Sequence, residues 1–254
     1  ENIIKEIYFI KNIDQNILIF FVDDNIVSNR AYAKELFKAL VPLNIRWYSQ
    51  APIAIAKDDE LLELMHRSGC RELFIGFESL SQESLEAMGK GRINKVEEYE
   101  EAIEKIYSHN ISIFASFMFG GEFDDKTIFD KTIKFINDNS IPFSLINIIV
   151  PPPGTRLFQK LEKEGRILHK DWSKYIGEFV CFKPRLLSIE ELQNNYYRLL
   201  QQIYDYNVLF KRLNKWWQIL SYKKIEKKKF LFSKIRLKCY ILLKNIYKLD
   251  GQRM

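Results

Sequence analysis

Ile17-Leu18-Ile19-Phe20-Phe21-Val22, closed by Asp23-Asp24-Asn25, is a short unbroken apolar run that stops on a polar cluster. The pattern returns: Arg71-Glu72-Leu73-Phe74-Ile75-Gly76-Phe77 stops on Glu78-Ser79, residues 111–119 on Gly120-Gly121-Glu122, and residues 143–150 on Pro151-Pro152-Pro153-Gly154-Thr155. Runs of this kind suit strands buried on both faces of a parallel sheet, and the stretches between them carry helical apolar periodicity. With a further strand at 45–51, strand starts fall about 27 to 39 residues apart, the spacing of right-handed βα units. The polar clusters then gather at the carboxyl ends of the strands, the edge at which α/β barrels and open sheets bind ligands.

The sequence predicts helices over 2–12, 28–40, 58–68, 81–88, 95–109, 125–139 and 155–164, and strands over 17–22, 45–51, 72–77, 111–119 and 143–150. After Gly165 aromatics become dense, and Ser188-Ile189-Glu190-Glu191 caps a long helix whose stripe runs through Leu192, Tyr196, Leu199, Leu200, Ile203 and Tyr206. The expected division is a strand-rich core over 1–165 and a helical extension over 166–254.

With 254 residues, 47% hydrophobic and 28% charged, the composition is that of a globular protein. The longest apolar runs reach about six residues, far short of the roughly 18 that a spanning helix needs. Cys70, Cys181 and Cys239 form no CxxC pair, which fits a reducing, cytoplasmic compartment. The chain opens on Glu1 inside an amphipathic helix and reads as a piece of a longer protein. From Ser221 to Met254 eleven Lys and Arg face two acidic residues, a local charge of +9, so the preceding 220 residues carry −3.

Taken in order, Phe21-Val22-Asp23-Asp24-Asn25, Gly76-Phe77-Glu78-Ser79, residues 116–125 and Val150-Pro151-Pro152-Pro153-Gly154-Thr155 resemble the radical S-adenosylmethionine (SAM) enzymes. Within them the chain is most similar to the group with a cobalamin-binding domain in front of the radical core, which includes the hopanoid C-2 methylase-like proteins. The resemblance covers residues 1 to about 165, and the helical part is similar to that group's C-terminal extension. It implies a partial (βα)6 TIM-like barrel, here without the first strand and its CxxxCxxC loop, followed by an α-helical extension. In that family the loop's thiolates bind a [4Fe-4S] cluster. The cysteines present cannot supply this spacing, so the chain alone is expected to hold no cluster and to be inactive. In complete form the family cleaves SAM at the cluster to a 5′-deoxyadenosyl radical, and a cobalamin domain points to methyl transfer to carbon of a small-molecule or lipid-like substrate.

The resemblance assigns SAM-binding residues but no catalytic one. Asp23, Asp24 and Asn25 fall where the family contacts the methionine ammonium; a solvated turn with Asn25 or Ser28 as helix cap is the plain alternative. Glu78 and Ser79 fall at the ribose position, where a carboxylate can accept from both hydroxyls of a diol, or cap the next helix. Lys90 or Arg92 matches the basic residue that meets the SAM carboxylate, and Arg92 is preferred for its planar fork. Phe119 and Gly120 lie in the segment that would hold adenine, although the spacing departs from the family's and two glycines are ordinarily a turn. Asn147 and residues 151–155 close the last strand on the substrate side. His66, His109 and His169 lack metal-ligand spacing. The rival reading is a non-catalytic barrel module whose tail, over 222–249, interleaves Lys with apolar residues and lies on an anionic membrane, with nucleic acid the poorer fit.

Overall fold

The computed structural model describes residues 2–220. The expected tail helix over 222–249 lies outside the described residues. Five strands, β1 (Leu18–Phe20), β2 (Arg46–Gln50), β3 (Cys70–Glu78), β4 (Ser112–Phe119) and β5 (Phe143–Ile148), pair in parallel and in chain order. Helix α1 (Asn2–Ile13) precedes β1, and α2 (Arg30–Leu40), α3 (Asp59–Arg67), α4 (Gln82–Ala87), α5 (Tyr99–Ser108) and α6 (Thr127–Asp138) occupy the crossovers. After β5 come α7 (Arg156–Lys163), α8 (Ile189–Ile203) and α9 (Tyr206–Ile219). Each crossover advances one strand in the same direction, so the twisted sheet curls into a half-barrel, the α/β architecture that the sequence predicts.

Alternation along each strand separates two faces. Leu73, Ile75 and Phe77 of β3, with Ile113, Ala115, Phe117 and Phe119 of β4, are buried in the main core. Phe77 is the hub of an aromatic cluster, edge-on to Tyr99 at 4.9 Å and stacked on Phe117 at 5.5 Å. The other face carries Glu72, Phe74 and Gly76 in register with Ser112, Phe114 and Ser116, and looks into the lumen.

Three elements differ from their expected extents. β1 keeps three residues rather than six; past it, the Phe21 amide still donates to the Tyr48 carbonyl at 3.1 Å and Ser49 Oγ to the Phe21 carbonyl at 2.8 Å. The helix expected from 95 begins as a 3-10 turn, Val96–Glu98, before α5. The long helix expected through Tyr206 ends at Ile203, and the stripe alone could not reveal why. Tyr204 Oη bonds both the amide (3.1 Å) and the carbonyl (2.5 Å) of Ser144 in β5, while the Asp205 carboxylate takes the amides of Asn207 and Val208 and starts α9. The capping box expected at Ser188 and Glu191 is formed.

Candidate functional site

The pairing of β3 with β4 runs evenly from Glu72 opposite Ser112 to Gly76 opposite Ser116, then slips, so that Glu78 stands opposite Phe117. At this bulge Glu78 has φ +66°, a left-handed conformation that costs a non-glycine residue about 1–3 kcal/mol. The surroundings hold it there. Asn94 Nδ2 donates to the carbonyls of Gly76 (2.9 Å) and Phe77 (3.1 Å), and Tyr99 Oη donates to the Phe77 carbonyl at 2.8 Å. Asn94 and Tyr99 are themselves buried, so the bent strand end is braced from the helix side.

The bend turns the Glu78 carboxylate back over Gly76. A Cβ at Gly76 would lie 2.5 Å from Glu78 Oε1, so glycine is what leaves the carboxylate its place. Glu78 is only 9% exposed and is paired through Oε1 with Lys90 Nζ. Among the described residues Oε2 accepts no hydrogen bond. Helix α4 is capped by Ser81 rather than by Glu78 or Ser79, whose hydroxyl instead accepts from the Ser81 amide at 3.0 Å.

Parallel pairing brings Asp23, Asp24, Glu78 and Gly120 to the same edge of the sheet, since each follows or ends a strand at its carboxyl terminus. β1 and β3 are two strand spacings apart, about 10 Å. Asp23 and Asp24 are exposed, and the Asn25 side chain accepts from the Val27 amide at 3.1 Å; Asn29, not Asn25 or Ser28, caps α2. The cation brought to Glu78 is Lys90, whereas Arg92 is exposed and makes no ion pair among the described residues. Phe119 points its ring out of the lumen, stacked on Phe129 at 4.7 Å.

Asp124 is the site residue that sequence reasoning passed over. It is fully buried, and its Oδ2 accepts the amides of Gly120 (3.1 Å) and Gly121 (2.9 Å) while Oδ1 accepts Ser84 Oγ of α4 at 2.7 Å. Burial raises its pKa, against the pull of the Ser84 and glycine hydrogen bonds. The Gly120-Gly121 turn is thus tied down and covered by Leu192 and Phe182, with both amides spent on Asp124. The signal was an acidic residue following two glycines, which has no periodicity to mark it.

Beside this turn, Glu122 collects Arg166 Nη1 and Arg185 Nε, each at 2.7 Å, and Lys160 Nζ at 3.5 Å, joining the end of β4 to α7 and to the chain after it. Burial opposes ionisation of Glu122, but the Arg166 hydrogen bond and the nearby cations outweigh it and hold the carboxyl below its ordinary value of 4.5. A depressed carboxylate contributes stability above its unfolded pKa that is lost as pH falls through the folded one. Urea midpoints of the chain should therefore drop as pH is lowered below about 4.5, and Glu122→Gln should flatten that limb; equal slopes would show that this cluster stores no stability.

Among the described residues no three His, Cys, Asp or Glu side chains group as metal ligands. Cys70 and Cys181 are buried, and burial pushes both thiols up, the reverse of what a ligating thiolate needs. The described residues do not fit an iron–sulfur cluster.

The profile of the radical SAM superfamily matches residues 1–136, more than half of the sequence. The chain belongs to the radical SAM superfamily. Residues 155–249 match a domain of unknown function, DUF4070. The chain is 35% identical over 193 residues to the bacteriochlorophyllide d C-12(1)-methyltransferase of Chlorobaculum tepidum, covering 76% of this chain and 42% of that protein. It is 31% identical over 159 residues to the hopanoid C-2 methylase of Rhodopseudomonas palustris, covering 60% and 30%. The chain therefore spans less than half the length of these relatives. Its fold is shared with the radical SAM methyltransferase TsrM from Kitasatospora setae, solved with cobalamin and a [4Fe-4S] cluster bound: TM-score 0.53, 13% identity, covering 73% of this chain and 37% of that one. The expected family and half-barrel are thereby established, and the relatives are methyltransferases.

Proposed function

We propose that this chain is the SAM-holding part of a radical SAM methyltransferase, one that in complete form carries a [4Fe-4S] cluster and uses cobalamin for methyl transfer to carbon of a small-molecule substrate. The observation that carries this reading is Glu78: a nearly buried carboxylate, on a strained backbone, seated where a side chain at Gly76 would collide with it. Strain of this kind persists only where the surroundings enforce it, and it gathers at ligand sites.

In this reading Glu78 accepts from the ribose hydroxyls, with Oε2 available and the half-exposed Lys90 able to share or yield Oε1. Asp23, Asp24 and Asn25 face the methionine ammonium from the end of β1, Ser79 lies beside the ribose, and the Phe119-Gly120 segment borders adenine through its backbone. Lys90 has a stronger claim than Arg92 to the basic position, because it is the cation already beside Glu78. The division into a core over 1–165 and a helical extension over 166–254 belongs to the same proposal, supported by the change from βα units to the α8–α9 pair.

Calorimetric titration of the chain with S-adenosylhomocysteine and with its 2′-deoxyribose analogue tests the reading. Hydrogen bonds to a charged group contribute about 1.5–3 kcal/mol, so Glu78→Gln should weaken the parent ligand by roughly ten- to a hundredfold. It should affect the deoxy analogue much less. Equal losses for both ligands would remove the ribose assignment.

A further inference from the structure

The lumen holds a largely apolar and aromatic cavity that runs from the start of β3 to Phe20 and Gln50, the last residues of β1 and β2, and that the SAM reading does not use. It has a volume of about 640 Å³ and lies around Glu72, six residues before Glu78 on β3 and so about 20 Å away along the strand. Tyr48 (stacked on Phe20 at 4.7 Å), Phe74 and Phe114 (edge to face at 5.3 Å) line it, and Trp216 of α9 closes one side.

Two polar groups here are poorly provided for. The Glu72 carboxylate accepts one hydroxyl, Ser112 Oγ at 3.2 Å, and makes no ion pair among the described residues. Arg71, at the same level, donates to the Cys70 carbonyl instead. The Trp216 indole N–H is buried with no hydrogen-bond partner among the described residues. An unpaired buried donor and a lone carboxylate each cost free energy that ordinary packing does not return. Burial accordingly pushes the Glu72 carboxyl up, against the Ser112 hydrogen bond.

A carboxylate calls for N–H donors carrying positive charge, a free indole N–H calls for an acceptor, and aromatic walls favour a flat ring and a cation held against their faces. We propose that the floor of the lumen binds a flat aromatic amine or amidine, its cationic N–H groups on Glu72 and its ring against Tyr48, Phe74 and Phe114. Glu72 and Trp216 carry none of the SAM assignments, so the proposal stands whether or not those assignments hold.

The probe is 2-aminobenzimidazole, titrated into the chain by calorimetry and by indole fluorescence, beside 2-hydroxybenzimidazole, which has the same shape without the cation. The expected result is saturable one-to-one binding of the amine, at least tenfold tighter than the hydroxy compound. Glu72→Gln should weaken the amine at least tenfold and leave the hydroxy compound unchanged, and Trp216→Phe should abolish the binding-linked fluorescence change. Thermal melts establish that both variants fold, and the comparison of probes on the unaltered chain needs neither. Absence of saturable amine binding, equal affinity for the two probes, or an amine affinity untouched by Glu72→Gln would overturn the proposal.

Discussion

Gly76→Ala should cost the chain little stability and most of its affinity for S-adenosylhomocysteine. The added Cβ meets Glu78 Oε1 at 2.5 Å, and that atom is the far end of a flexible side chain, so the clash is relieved when the carboxylate swings away. Gly76 itself has no positive φ, so its backbone accepts alanine. The displaced carboxylate can no longer reach a ligand above Gly76, and the loss should approach that of Glu78→Gln, roughly ten- to a hundredfold. Calorimetry paired with a denaturant melt checks both halves. Unchanged affinity would show that the folded-back position of Glu78 is not the binding position.

Asp124→Ala should produce the largest loss of stability among the site variants. It strips the partner from two buried glycine amides and from Ser84 Oγ in one step, and a buried donor left unpaired costs about 1–3 kcal/mol. Allowing for partial relaxation of the turn, the expected cost is about 3 kcal/mol, read as a fall in the urea midpoint at constant slope. Asp124→Asn, which retains a carbonyl acceptor, should recover part of it. A cost within about 0.5 kcal/mol of zero, the range of ordinary surface changes, would mean that water takes over all three bonds.

The strands were legible where burial on both faces leaves an unbroken apolar run, as in β3 and β4, and least so at β1, where the apolar run outlasts the paired residues. Glu78 was legible because it ends such a run. Its supports were not: Asn94 acts through backbone carbonyls 17 and 18 residues away, and Asp124 reaches across 40 residues to Ser84. The Lys90–Glu78 pair was not legible either, because the loop after α4 decides which cation reaches that carboxylate. The direction of the Phe119 ring was likewise invisible within an apolar run, and the alternation of β4 stacks it on Phe129 of α6.

The strictly consecutive strand order has a consequence for how the chain is made. Among the described residues each strand after β1 pairs with the one synthesised just before it, so each new βα unit can dock on a template already in place. Growth in one direction also leaves a gradient of cooperativity. β3 and β4, flanked on both sides and joined to their helices through Phe77, should open only when the whole domain unfolds, whereas the three-residue β1 opens locally. Amide exchange would then read as a slope across the sheet, slowest at its middle and fastest at the edge that carries Asp23 and Asp24, so half of the proposed ligand edge is anchored and half is free to adjust.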